Sequence, residues 1–244
     1  MNIGGGINIG PGVSILNDYV APIFVTSNAL LYLDAGQTAS YSGSGTTWTD
    51  LSTNTNNATI AGSPPFTSSG AASYFSFNGA GTQYASTPTS KYNISYTGKT
   101  TFFAARMNTS FGTSQYRCLF GSASGTRNFN TYIYSPSSGV YQVHASFGSG
   151  SSLSNNLSLT TGQWFTCGAT QDASGNLTSY FNGQAVGVTT GQTLAQWSTN
   201  GGEVVAYSDN YWYGDIAVTA VYSRALSAAE MATNHAAIRN RYGI

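Results

Sequence analysis

Between residues 26 and 223 the chain is a series of short apolar runs, at 30–33, 74–77, 101–106, 131–134, 140–147, 164–170, 177–181, 204–207 and 216–222, each closed by Gly, Ser, Asn, Asp or Pro. Runs of this length suit strands, and the residues between them supply the backbone conformations that tight turns require. Nowhere in the series do apolar residues recur at helical spacing, so the crossover helices of a parallel sheet are missing. An antiparallel sandwich or a closed barrel remains. No Pro/Gly-rich linker splits the series, and 244 residues suffice for one such body with a large core. Residues 26–244 are therefore expected to form one all-β domain.

The two ends depart from this pattern. Residues 1–25 begin with Ile3, Ile7, Ile9, Val13 and Ile15 at odd positions and mostly glycine between them. A strand that is apolar on one face and glycine on the other cannot close a core of its own, but it can lie flat on another sheet. It reads as a docking arm that adds a strand to a partner, with the isoleucines setting register; a glycine-rich tail and docking on the chain's own sandwich are the other readings. The opening residues show neither the basic stretch nor the apolar core of a secretory leader, so export by the usual route is not expected. At the other end, Ser227-Ala228-Ala229-Glu230 has the form of a capping box that starts a helix. Met231, His235 and Ile238 give that helix a narrow apolar stripe, and Tyr242-Gly243 marks its stop.

Charge narrows the choice of partners. Only 7% of residues are charged and the net charge is zero, which gives no electrostatic field to attract nucleic acid or an anionic membrane. No apolar run approaches the ~20 residues of a membrane-spanning helix. The 41% apolar and 14% aromatic shares argue for a folded chain. Cys118 and Cys167 lack metal-ligand spacing and each sits in a strand-like run, as a buried thiol would; whether they pair is left open. There is no nucleophile elbow, phosphate loop or paired-histidine metal motif.

Several motifs, taken in order, carry a resemblance. They are Leu31-Tyr32-Leu33-Asp34-Ala35-Gly36; Trp48-Thr49-Asp50-Leu51-Ser52 with Asn54 to Asn57; Phe75-Ser76-Phe77-Asn78-Gly79 with Tyr84; and Trp164 with Cys167 and Ala169. Tyr180-Phe181-Asn182-Gly183, Gly214-Asp215-Ile216 and Val221-Tyr222-Ser223-Arg224-Ala225-Leu226-Ser227 complete the set. The series resembles laminin-G-like domains of the concanavalin A-like lectin/glucanase type. The resemblance implies a jelly-roll sandwich of two antiparallel sheets with a short C-terminal helix. It also raises calcium, which such domains often hold at a sandwich rim; Asp209 is the one loop acid suited to it, and otherwise no cofactor is expected. Relatives often carry an acid shortly after the Asp-Ile pair, where this chain has Val218 and Thr219. The glycine-rich arm joined to such a domain, in a chain of so little charge, resembles virion proteins of tailed bacteriophages.

The fold also hosts glycosidases, which need two carboxylates roughly 5–9.5 Å apart. The acids here are Asp18, Asp34, Asp50, Asp172, Glu203, Asp209, Asp215 and Glu230, no two within four residues of each other. No chemistry-bearing pair is apparent, and the chain is expected not to be an enzyme. A binding site is more legible in Tyr207-Ser208-Asp209-Asn210-Tyr211-Trp212-Tyr213, where rings could stack on sugar C–H faces while Asp209 and Asn210 bond hydroxyls. The alternative is that the rings alternate, with Tyr211 and Tyr213 on one side and Trp212 on the other, one set entering the core. Tyr116 and Arg117 are further candidates of this class.

The expected function is a non-enzymatic virion surface protein, decorating a particle or forming an appendage. Its arm would dock to other virion proteins or to further copies of itself, and its jelly roll would bind cell-surface polysaccharide. A secreted, extracellular bacterial carbohydrate-binding module is the second expectation and a glycoside hydrolase the third.

Overall fold

A computed structural model of the protein describes residues 7–8, 14–15, 22–88, 98–122, 129–148, 150–194, 202–204 and 210–244. Within the arm, β1 (Ile7–Asn8) and β2 (Ser14–Ile15) pair antiparallel with Ile7 opposite Ile15. Ile3, Ile9 and Val13 lie outside the described residues. The body begins with β3 (Ala29–Asp34), β4 (Thr47–Trp48), β5 (Ala58–Ala61), β6 (Phe66–Thr67), β7 (Tyr74–Asn78) and β8 (Tyr84–Ser86). Then come β9 (Lys99–Met107), β10 (Gln115–Ser122), β11 (Phe129–Ser137), β12 (Val140–Phe147) and β13 (Gly150–Leu153). The remainder are β14 (Trp164–Gln171), β15 (Leu177–Phe181), β16 (Gln184–Thr189), β17 (Gly202–Val204), β18 (Tyr213–Tyr222) and the helix α1 (Ala228–Tyr242).

Two antiparallel sheets result. The front sheet runs β13-β12-β11-β10-β17-β8-β5-β4 and the back sheet β16-β15-β14-β9-β18-β7-β6. On the side of β18 away from β9, β7 pairs with its first half and β3 with its second, so the opening strand and the closing strand are neighbours. A bulge between Ile216 and Val218 lets one strand serve both.

The facing sides of the sheets form the main core, with Leu31, Leu33, Phe75, Phe103, Phe165 and Ile216 from the back sheet against Phe120, Phe129, Ile133, Val143 and Phe147 from the front. The central back strands are apolar on their outer face as well, and α1 explains why. Phe24, Tyr32, Phe102, Ala104, Val218, Ala220 and Tyr222 form a second core beneath Met231 and Ile238 of the helix. A sheet covered on both sides reads as continuous apolar runs rather than as alternation.

The helix begins and ends as its sequence indicates. Ser227 Oγ accepts the Glu230 backbone N–H, the Glu230 carboxylate accepts the Ser227 N–H, and Gly243 ends the helix at φ 71°. The buried stripe differs by one residue: it is Met231, Asn234 and Ile238, while His235 is half-buried and shares a hydrogen bond with Thr166 Oγ1. Asn234 is buried because it ties three segments together, accepting from Val25 N at 2.8 Å and donating to Tyr222 Oη, which itself donates to Val25 O. Phe24 stacks on Tyr32 at 4.5 Å, so the folded body takes in residues on the arm side of the expected boundary at 26.

Candidate functional site

The aromatic loop singled out in the sequence divides in two. Trp212 is 1% exposed, packs edge-on to Phe165 in the main core, and leaves its indole N–H over Gly214, where a Cβ would collide with it. It offers no ring face to a ligand, which corrects the expectation that it stacks on sugar. Tyr211 and Tyr213 turn the other way, against Gly81 and Gly79 in the turn after β7, and Tyr213 remains 46% exposed. Asn210 uses its carbonyl to accept the Cys118 N–H, which stitches the loop to β10. Tyr207 and Asp209, the latter also the expected metal ligand, lie outside the described residues. Among the described residues no group of three or more His, Cys, Asp or Glu side chains is placed to hold a metal ion. Cys118 and Cys167 are buried thiols that are not joined in a disulfide. Tyr116 stands on the outer face of the front sheet, stacked on Tyr134 at 4.4 Å and 5.2 Å from His144, while Arg117 lies over Phe111.

Five carboxylates are described with their side chains, and each has a structural task. Asp34 holds the last turn of the helix through Arg241, at 2.8 and 2.5 Å. Gly36 makes this possible, because any Cβ there would meet both Ala71 O and the Arg241 guanidinium. Asp50 gathers the loop after β4, accepting from the backbone N–H groups of Tyr32, Ser52 and Asn56. Burial would raise the Asp172 carboxyl, but the N–H groups of Asn176 and Ser174 outweigh it and hold it below its usual value. Glu230 closes the helix cap and forks with Arg224, whose hydrogen bonds hold its pKa at about 2.

Asp215 belongs to a row that crosses the outer face of the back sheet, with Ser76 of β7, Asp215 of β18, Arg106 of β9 and Trp164 of β14 in register. Asp215, 1% exposed, accepts from Arg106 Nε and Ser76 Oγ at 2.6 Å and from Asn108 Nδ2 at 3.1 Å. The Arg106 guanidinium lies between Tyr74 and Trp164, 4.9 and 5.1 Å from their ring centres. Tyr242, from the end of the helix, packs on Trp164 at 4.4 Å.

Beside this row opens a cleft of about 390 Å³ lined by Gln163, Trp164, Asn182 and Tyr242. A small recess, about 50 Å³, adjoins it across Gln163 and Trp164 and reaches Thr160 and Phe181. A further cleft of about 430 Å³ lies between loops 35–43 and 66–73, walled by Gln37, Tyr41, Ser42, Phe66 and Ser68. None of these three clefts is lined by an Asp, Glu, His, Cys, Lys or Arg side chain. Their chemistry is that of rings, amides and hydroxyls, which suits a polar ligand with apolar faces. Trp164, Gln163 and Asn182 were not singled out in the sequence as site residues, because a strand-opening Trp followed by core-facing residues reads as packing.

Solved structures share the architecture at low sequence identity. The binding domain of Paraclostridial Mosquitocidal Protein 1 superposes with a TM-score of 0.66 at 13% identity, over 86% of this chain and 52% of that one. A chain of botulinum neurotoxin type C, which depends on interaction with two ganglioside molecules to get into cells, gives 0.64 at 13%, over 87% and 52%. Trypanosoma rangeli sialidase gives 0.60 at 12%, over 89% and 33%. The chain thus spans about half the length of the two toxin chains and about a third of the sialidase. At such identities the likeness concerns the fold. No curated protein matches the sequence. Residues 78–232, well over half of the chain, match the model of a family whose sandwich is the one described above, and the chain belongs to the concanavalin A-like lectin/glucanases superfamily.

Proposed function

We propose that the chain is a non-enzymatic saccharide-binding domain carried on the surface of a bacteriophage particle. One observation carries the binding half of this reading. Each carboxylate whose side chain is described is taken up in an ion pair, a turn or a cap, while the clefts beside them present rings, amides and hydroxyls. Glycosidic hydrolysis needs two carboxylates free to face a bond, and saccharide binding needs none. The Trp164 cleft is the favoured site, because an aromatic edge and two amides converge there on elements fixed by the sheet. The virion half rests on the low-charge composition and on the arm, whose two short strands, among the described residues, pair with each other; a two-stranded hairpin is marginal in water and gains from a partner. Its partners would be other virion proteins or further copies of the chain. Weak saccharide contacts would then be amplified by the many copies on one particle.

The test is a glycan array probed with the full chain, with and without calcium, beside a Thr160→Ala/Gln163→Ala variant. Both side chains are exposed, so the variant should keep its unfolding midpoint. Retention weakened roughly tenfold, the effect of losing well-placed polar contacts, is the expected result. No retention by the wild type under either condition would refute the binding role, and polysaccharide cleavage by the purified chain would refute the non-enzymatic one. Removal of residues 1–15 should abolish incorporation into particles; particles that still carry the truncated chain would refute docking by the arm.

A further inference from the structure

Three of the described arginines are matched to acids, while Arg239 is exposed and has no carboxylate partner among the described residues. Arg106 donates to Asp215, Arg224 forks onto Glu230 and Arg241 forks onto Asp34, with N···O distances of 2.5–2.9 Å. Arg117, in β10, is half-buried and has no carboxylate partner among the described residues. Its guanidinium lies over the Phe111 ring at 5.1 Å, and Phe111 is itself held by Tyr141 at 5.2 Å. Two of its N–H groups donate to neighbours, Nη1 to Tyr116 O at 3.0 Å and Nη2 to Gln115 Oε1 at 3.1 Å. The remaining N–H groups have no acceptor among the described residues. Burial lowers its pKa from the usual arginine value, whereas the three matched arginines are raised.

A half-buried cation is normally matched by an anion, and among the described residues the three other partly buried arginines each have one. The stacked ring and the two bonds hold the guanidinium plane in place before any ligand arrives, which reduces the ordering cost of binding. A planar fork so held complements a carboxylate in a way that a lysine would not. Arg117 follows the loop from the end of β9 to the start of β10, at the same end of the sandwich as Trp164, which pairs with Arg106 near the end of β9.

We propose that Arg117 is the recognition point for a carboxylate carried by the saccharide, so that the ligand class is acidic sugars of the uronic or sialic type. This rests on the saccharide-binding reading above and narrows it. Gln115, whose Oε1 accepts from the guanidinium, keeps its NH₂ as a second donor for the same ligand.

The experiment is a titration of the full chain with acidic oligosaccharides and with the same oligosaccharides after reduction of each carboxyl to an alcohol. Wild type, Arg117→Gln and Arg117→Lys are compared, with unfolding midpoints recorded to confirm equal folding. Wild type should favour the acidic form by about tenfold or more, the effect of one charge-assisted bond pair. Arg117→Gln should erase the preference, and Arg117→Lys should keep part of it. Equal affinity of the wild type for both forms, or a preference that survives in Arg117→Gln, overturns the assignment while leaving saccharide binding intact. Retention of neither form, together with a blank glycan array, overturns both.

Discussion

Replacing Arg241 with methionine keeps the aliphatic volume at the end of the helix and removes the one positive charge that faces Asp34. Asp34 is 0% exposed, and after the substitution its carboxylate would keep only neutral donors: Tyr32 Oη, Gln37 Nε2 and the Gly36 N–H, each at 3.0 Å. Removing one partner of a buried ion pair costs about 3–5 kcal/mol. The neutral donors offset part of this, which places the expected loss near the lower end, about 3 kcal/mol. In a domain of this size the melting temperature should fall by on the order of 10 °C. Urea unfolding followed by tryptophan fluorescence measures it directly. The double variant Asp34→Asn/Arg241→Met, which removes the stranded charge, should recover at least half of the loss. Gly36→Ala should reproduce the single variant, because its Cβ occupies the path of the guanidinium. A loss below about 1 kcal/mol, the worth of a surface ion pair, would refute the latch, and so would a double variant no more stable than the single one.

Trp212→Ala should destabilise the fold by about 3–5 kcal/mol through the cavity it leaves in the main core, while glycan retention per folded molecule is unchanged; selective loss of retention at full stability would return the indole to the binding surface. Glu230 links the helix cap to pH. Its folded pKa, about 2, lies below the ordinary 4.5, so its contribution is complete above pH 4.5 and is lost as pH falls through about 2. Glu230→Gln should flatten the stability profile across that window, and an unaltered acid limb would refute the assignment.

Strands and helix were legible because they are encoded locally. The runs at 140–147 and 177–181 coincide with β12 and β15, and both caps of α1 stand where Ser227 and Gly243 indicate. The second core was less legible. Period-two alternation gives way to uniform burial in β9 and β18, and only the placement of α1 over the back sheet shows which faces it covers. The loop at 210–213 illustrates the same limit at the site. Alternation establishes that Trp212 and its neighbours face opposite ways, but the outward side depends on the turn after β7, where Gly79 and Gly81 at φ 68° and 75° make room for Tyr213 and Tyr211. A residue that reads as a sugar platform is therefore core, and the Trp164 cleft draws on loops around residues 160 and 182 and on the chain end.

The charged residues explain why the site could not be read from spacing. Asp34 finds Arg241 across 207 positions and Asp215 finds Arg106 across 109. Both pairings join elements that become neighbours only when β18 closes the back sheet. In a chain of average charge these bonds would be lost among many surface pairs of little consequence. Here they are so few that each accounts for one acid, and the inventory becomes a structural argument. An acid clasped by a buried arginine is withdrawn from catalysis, and an arginine left without an acid is open to a ligand's carboxylate. The scarcity of charge that first argued against nucleic acid and membrane is thus what makes Arg117 stand out.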